Sequence, residues 1–239
     1  MASTGTRDER VPVVLLAHGS RHPQGVTSID RLAVAVTEES GLDSRTAYLD
    51  LNQPDLKAAA AGLREDGHRR AIVVPLLFTP AFHARTDAPA AIAAADAETG
   101  VELVVADIIG TPDELLPLLQ AAAAAAGIAD DAPVLLTSVG SSRSEANQAV
   151  ADLAERLAGV RGTAVRAGFA TCAPRATELL VADRDLAGVL SLFVGHGLLL
   201  DKITQAAEAV DVPVAMPLET ALVGLVLDRY RAAASTHAR

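Results

Sequence analysis

Two histidines stand where chemistry is easiest to build. His18 closes the apolar run Val13-Val14-Leu15-Leu16-Ala17 and is followed at once by Gly19-Ser20-Arg21. His83 lies in the loop Phe78-Thr79-Pro80-Ala81-Phe82-His83, which follows a second apolar run, Ala71–Leu77. A neutral imidazole binds iron, cobalt, nickel or zinc and takes up a proton near neutral pH. Two of them brought to one rim by neighbouring strands form a candidate site for a divalent metal. Tyr48-Leu49-Asp50 ends a third extended segment at the same edge. Asp50 completes a two-histidine, one-carboxylate set, serves as a base, or orients an imidazole; the plain alternative is a solvated loop acid beside Asn52. Each histidine also has a structural reading, as a hydrogen-bonded residue at a strand end.

The surroundings of the first histidine favour an anionic ligand. Gly19 lets the chain turn, and the backbone N–H groups at the start of the next helix attract negative charge. Ser20 adds a hydroxyl and Arg21 a planar donor fork suited to carboxylate or phosphate. His22 is expected to be exposed and to assist with such a ligand. Asp87 is read as the cap of the helix after His83, with Pro89 in its first turn. His196, between Gly195 and Gly197, is expected to face a cleft. His68 reads as surface at the opposite edge, and His237 lies in a terminal tail.

Strand and helix patterns alternate along the whole chain. Strands are expected near Val11–Ala17, Arg45–Leu51, Ala71–Leu77 and Glu102–Asp107. Helices are expected near Val26–Glu39, from Asn52-Gln53-Pro54 to about Asp66, near Thr86–Glu98 and from Pro112 to Ala126. In the second of these Asn52 is read as the cap. After a polar connector, Gly127–Pro133, the pattern restarts with strands near Pro133–Ser138, Thr163–Phe169, Gly188–Val194 and Val212–Ala215. Fully apolar strands alternating with helices indicate parallel sheets. Leu15–Arg21 is echoed by Leu135–Ser142 at an offset of about 120 residues, which suggests an internal duplication. The expected architecture is α/β. It has two similar lobes, each a four-stranded parallel sheet flanked by helices, with a cleft between them. Residues 1–10 form a disordered tail, 11–127 the lobe with the metal site, and 133–234 a second, degenerate lobe. Val139 occupies the place of His18 in that lobe, so two equivalent metal sites are not expected.

Bulk properties narrow the function. The 239 residues carry a formal net charge of -10, which argues against nucleic acid and against an anionic membrane. Cys172 is the single cysteine, so an internal disulfide and an all-cysteine metal site are excluded. Met1–Arg10 has no apolar signal core, and Ala121–Ala126 is too short to span a bilayer. A cytoplasmic protein is expected, as a monomer with a dimer as the alternative.

The segments AHGSR, from Ala17, and PLLFTPAFHARTDAP, from Pro75, resemble the sirohydrochlorin chelatases. These small ATP-independent enzymes insert cobalt or ferrous iron into sirohydrochlorin on the way to cobalamin or sirohaem. The family's second motif is proline-glycine-x-histidine-x-x-x-aspartate-isoleucine-proline; Ala81 and Ala88 depart from it. The family's phenylalanine-leucine-glutamate is Tyr48-Leu49-Asp50 here, with a side chain one methylene shorter. The resemblance covers nearly the whole chain, because double-length members fuse two chelatase-like halves. It implies a class II chelatase-like fold. It implies that His18 and His83 bind the incoming metal and take part in deprotonating the pyrroles, with Asp50 in the glutamate's place. The metal, Fe2+ or Co2+, is a substrate; no ATP or other nucleotide is implied. The macrocycle is a polycarboxylate, so the cleft must be locally positive despite the net charge. Arg21, Arg85, Arg143 and Arg175 are the candidate cations, with Ser20 and His196 as further contacts to the tetrapyrrole.

Two other readings compete. One is a non-catalytic carrier of tetrapyrrole or metal, which Val139 and Asp50 both permit. The other is a phosphate-handling enzyme with His18 as nucleophile. The histidine phosphatases have arginine-histidine-glycine in that order, and the chain does not reproduce it.

Overall fold

The computed structural model describes residues 11–79 and 87–236. In chain order its elements are β1 (Val13–Ala17), α1 (Gly25–Ser40), β2 (Ser44–Tyr48), α2 (Leu56–Glu65), β3 (Arg70–Pro75), α3 (Asp87–Thr99), β4 (Glu102–Val105) and α4 (Leu115–Ala125). Then follow β5 (Val134–Ser138), α5 (Ser144–Arg161), β6 (Val165–Phe169), α6 (Ala176–Ala182), β7 (Gly188–Ser191), α7 (Leu198–Glu208), a 3-10 turn (Glu219–Leu222) and α8 (Val223–Thr236). The strands form two parallel sheets. One has four strands in the order β2-β1-β3-β4, the other three in the order β6-β5-β7.

Burial explains the central strands. Every residue of β1 and of β5 is buried, as expected for strands covered on both faces. Alternate side chains serve different layers. Val13, Leu15 and Ala17 join an inner core, while Val14 and Leu16 pack outward on α2 and α3. In the second sheet Val134 and Leu136 point inward, and Leu135 packs outward with residues of α6 and α7. The inner core is common to both sheets and includes residues of α1, α4, α5 and α8.

The two-sheet parallel architecture is as expected, with one correction. The second sheet has three strands, not four. The expected strand at Val212–Ala215 contracts to a single bridge, Val214 to Val189. Val189 donates to Pro213 and Ala215 donates back to Val189, both at 2.8 Å. Pro213 has no N–H, and Pro217 follows two residues beyond Ala215, so the ladder cannot lengthen.

Helix packing also departs from two self-contained lobes. α4, which precedes the connector, packs on β7 and α5. α8, at the end of the second half, packs on β3 and α1. Arg229 of α8 donates to the carbonyls of Ile108 and Ile109 at 2.8 and 2.7 Å, and the Tyr230 hydroxyl donates to Val11 O at 2.7 Å. Each half therefore covers part of the other's sheet, and the two share one core. Their loops nevertheless repeat in detail. Asp50 N donates to His18 O and Thr171 N to Val139 O, each at 3.0 Å. His22 N donates to Ser20 Oγ and Arg143 N to Ser141 Oγ.

Tyr48, at the carboxyl end of β2, is only 2% exposed. Burial, with the nearby Asp30 charge adding to it, pushes its hydroxyl above the ordinary value of 10.0. Below that value both folded and unfolded chains hold the proton, and the contribution to stability is complete. Above it the unfolded chain ionises first and stability falls. Tyr48→Phe is therefore expected to lose less stability than the parent as pH rises beyond about 10, measured by urea unfolding across that range.

Candidate functional site

A cavity of about 710 Å³ opens where the carboxyl ends of both sheets meet. From the first half it is lined by His18, Ser20 and Arg21 after β1, Leu49 and Leu51 after β2, and Leu77, Phe78 and Thr79 after β3. From the second come Ser138–Ser142 at the end of β5 and just beyond it, and Leu192–Leu199 after β7. This is the edge at which open α/β sheets hold ligands.

His18 is exposed on this lining. The turn that presents it is tightly determined. Gly19 has φ 104°, and a Cβ there would stand 1.9 Å from Asp50 O. Ser20 N donates to Asn52 Oδ1 at 2.6 Å, and Ser20 Oγ accepts from His22 N at 3.0 Å. Asn52 is thus not the cap of α2. Asp55 is, its carboxylate accepting from Ala58 N at 2.8 Å. Asn52 instead ties the β2 loop to the His18 turn, a pairing across 32 residues that local pattern could not disclose. Asn52→Ala is expected to cost about 1–2 kcal/mol by stranding the Ser20 N–H, whereas Asn52→Asp keeps the acceptor. Urea unfolding of the two variants checks this.

Asp50 is exposed, and its Oδ1 accepts from the N–H of Leu51 at 2.7 Å. Asn52 N donates to Asp50 O at 2.8 Å. Both bonds fold the loop so that Leu51 adopts φ 65°. That left-handed conformation costs a branched side chain about 1–2 kcal/mol. Asp50 itself is not among the residues lining the cavity; its neighbours Leu49 and Leu51 are.

The remaining expected residues fall into three groups. Arg21 is exposed on the lining. Arg143 and Arg175 lie outside it. Arg143 sits at the N-cap of α5 with its Nε 4.0 Å from Glu145, and Arg175 at the N-cap of α6 with its Nε 3.8 Å from Glu178. His83 and Arg85 lie outside the described residues, so the His18–His83 pair has no distance here. Among the described residues, no three His, Cys, Asp or Glu side chains gather around a common metal position.

His196 lines the cavity and belongs to an arrangement that joins the halves. Its ring stacks on His22, with centroids 5.8 Å apart and planes 20° from parallel. The expectation that His22 is exposed is corrected: its side chain is 13% exposed, and its Nε2 lies 3.2 Å from Asp201 Oδ2. Gln24 N donates to His22 Nδ1, which leaves Nε2 to carry the proton toward Asp201. Glu219 Oε1 accepts from Ser28 Oγ at 2.6 Å and Arg31 Nη2 at 3.0 Å, and lies 3.7 Å from His196 Nε2. Gly195 permits this approach, since a Cβ there would meet Ser28 Cβ at 2.5 Å. Sequence reading missed Ser28 and Glu219, which are separated by 191 residues.

The lining has one further property. The chain has 30 aspartates and glutamates, yet none lines the cavity among the described residues, and Arg21 is the one permanently charged side chain that does.

Comparison with known proteins agrees with this fold. The CbiX family model matches residues 12–126. A sirohydrochlorin cobaltochelatase of Sulfurisphaera tokodaii is 32% identical over 73 residues, 30% of this chain and 58% of the relative. Across the curated relatives it matches, the chain spans 56–62% of their length. The whole fold is similar to SirB from Bacillus subtilis solved with Fe3+, at TM-score 0.79 and 19% identity, covering 96% of this chain and 98% of that one. It is also similar to CbiX, described as the terminal enzyme of sirohaem biosynthesis in denitrifying bacteria, at TM-score 0.69 and 22% identity, over 93% and 99% of the two chains. The stretch similar to the CbiX family, residues 12–126, is just under half of the chain and holds His18, its glycine turn and the first parallel sheet.

Proposed function

We propose that this protein inserts a divalent metal, Fe2+ or Co2+, into sirohydrochlorin. The observation that carries the reading is the cavity between the two sheet edges: it presents His18 and Arg21 and, within the described residues, no carboxylate, in a chain of net charge -10. That lining suits an anionic ligand which the molecule as a whole repels. The names of the relatives point to the same substrate.

In this reading His18 and His83 replace water on the incoming ion and accept the two pyrrole protons that leave as the metal–nitrogen bonds form. The charge balances: one divalent cation enters and two protons depart. Ser20, Arg21 and His196 contact the macrocycle from the lining. Arg85 and Arg143 are the further cations for its outer carboxylates. Asp50 acts by shaping its loop, through the hydrogen bond to Leu51 N, rather than as a ligand. No ATP or other nucleotide is required. Among the described residues no helix is long and apolar enough to cross a membrane. The reading is of a cytoplasmic protein working as a monomer, with a dimer as the alternative.

The test mixes protein, sirohydrochlorin and each metal under anaerobic conditions and follows the macrocycle's absorbance. Insertion faster than the spontaneous rate with Fe2+ or Co2+ is expected. The placement of Asp50 off the lining favours one competitor, a carrier derived from a chelatase. The same experiment separates the two, because a carrier binds one equivalent and shows no acceleration with either metal.

A further inference from the structure

Eight large hydrophobic side chains are exposed among the described residues, and three of them line this one cavity: Leu51, Val139 and Leu198, at 44%, 45% and 50% exposure. They come from three separate elements, the loop after β2, the end of β5 and the first turn of α7. Exposed apolar side chains scattered singly need no explanation, but their convergence on a ligand-sized cavity does. Leu51 also keeps a backbone conformation unfavourable to leucine, φ 65°, held by Asp50 on both sides. Such strain persists where the surrounding structure enforces it, and the effect here is to hold a leucine at the cavity instead of a glycine.

We infer that Leu51, Val139 and Leu198 form a two-sided apolar clamp for the faces of a flat conjugated ring whose rim is anionic. Leu51 comes from the same sheet edge as His18. Val139 and Leu198 come from the opposing edge, where Val139 takes the position that His18 has in the first sheet. One ring face thus meets His18 and Leu51, and the other meets Val139 and Leu198, with His196 beside them. The metal approaches from the His18 side, while Val139 and Leu198 on the far side exclude water and hold the ring. Charge narrows the occupant: the lining offers Arg21 and, among the described residues, no carboxylate, so an anionic rim is favoured over a cationic one. The identity of the ring as sirohydrochlorin rests on the proposed chelatase activity; the clamp itself does not.

The experiment titrates wild type, Leu51→Gly and Leu198→Ala with two probes, anilinonaphthalene sulfonate by fluorescence and metal-free sirohydrochlorin by absorbance. Glycine accepts positive φ, so Leu51→Gly is expected to keep or raise the melting temperature. Each variant is expected to bind both probes about tenfold more weakly, in line with the loss of one partly buried leucine contact. KM for the macrocycle rises with kcat nearly unchanged. Affinities within twofold of wild type for both variants, or a wild type that binds neither probe, overturn the clamp. A wild type that binds anilinonaphthalene sulfonate through these leucines but binds no sirohydrochlorin keeps the clamp and overturns the chelatase reading.

Discussion

Gly19→Ala is expected to destabilise the protein by about 3 kcal/mol or more and to abolish turnover, because two independent penalties coincide. The backbone has φ 104°, a conformation that L side chains rarely adopt, and the new methyl would stand 1.9 Å from Asp50 O. Asp50 cannot simply retreat. Its N–H is bonded to His18 O, its carbonyl accepts from Asn52 N, and Asn52 in turn holds Ser20 N. Two other glycines calibrate the effect. Gly67 has φ 93° with nothing within 4 Å of a Cβ, so Gly67→Ala isolates the conformational term, about 1–2 kcal/mol. Gly140, in the matching turn of the second sheet, has φ 83° and would meet Cys172 Sγ and Phe169 Cβ at 2.8 Å, a milder overlap than the 1.9 Å at Gly19. The expected order of loss is Gly19→Ala, then Gly140→Ala, then Gly67→Ala, read from urea midpoints. Equal losses at Gly19 and Gly67 would show that the His18 turn yields freely.

His18→Ala is expected to reduce the rate of metal insertion by about two orders of magnitude or more, the usual loss for a positioned acid–base group. The fold should tolerate it. His18 is exposed, follows the strand rather than filling the core, and the variant keeps the backbone carbonyl that accepts from Asp50 N. Stability is expected to stay within about 0.5 kcal/mol of the parent, as for other surface substitutions. Calorimetric titration with Co2+ supplies an independent readout, with affinity falling alongside the rate. A variant that inserts metal at the parental rate would remove His18 from the mechanism and leave the chelatase reading without its metal-facing group.

Much of the fold was legible because burial leaves a local signature. The uninterrupted apolar residues of β1 and β5 mark strands covered on both faces, and a glycine just after each marks a turn at the ligand-binding edge. The echo between the two halves is real at the level of individual hydrogen bonds around His18 and Val139. The errors share one cause. Asn52 stands before a helix, where it resembles a cap, but its amide oxygen is spent on a residue 32 positions away. His22 is near a loop and polar, so it reads as exposed until Asp201 and His196 arrive from the other half. The strand expected at Val212–Ala215 has the right residue types, but Pro213 and Pro217 restrict its ladder to one bridge.

The amino-acid order by itself determined the parallel α/β character, the placement of His18 at a sheet edge and the family resemblance. These depend on hydrophobic period and on turns formed within a few residues, interactions that a short window of chain contains. Only the tertiary structure decided that α4 and α8 each cover the other half's sheet, that Glu219 and Ser28 join the halves, and that Leu51, Val139 and Leu198 line one cavity with Arg21. Those contacts link residues distant in sequence, and such links come from packing both sheets around a common core.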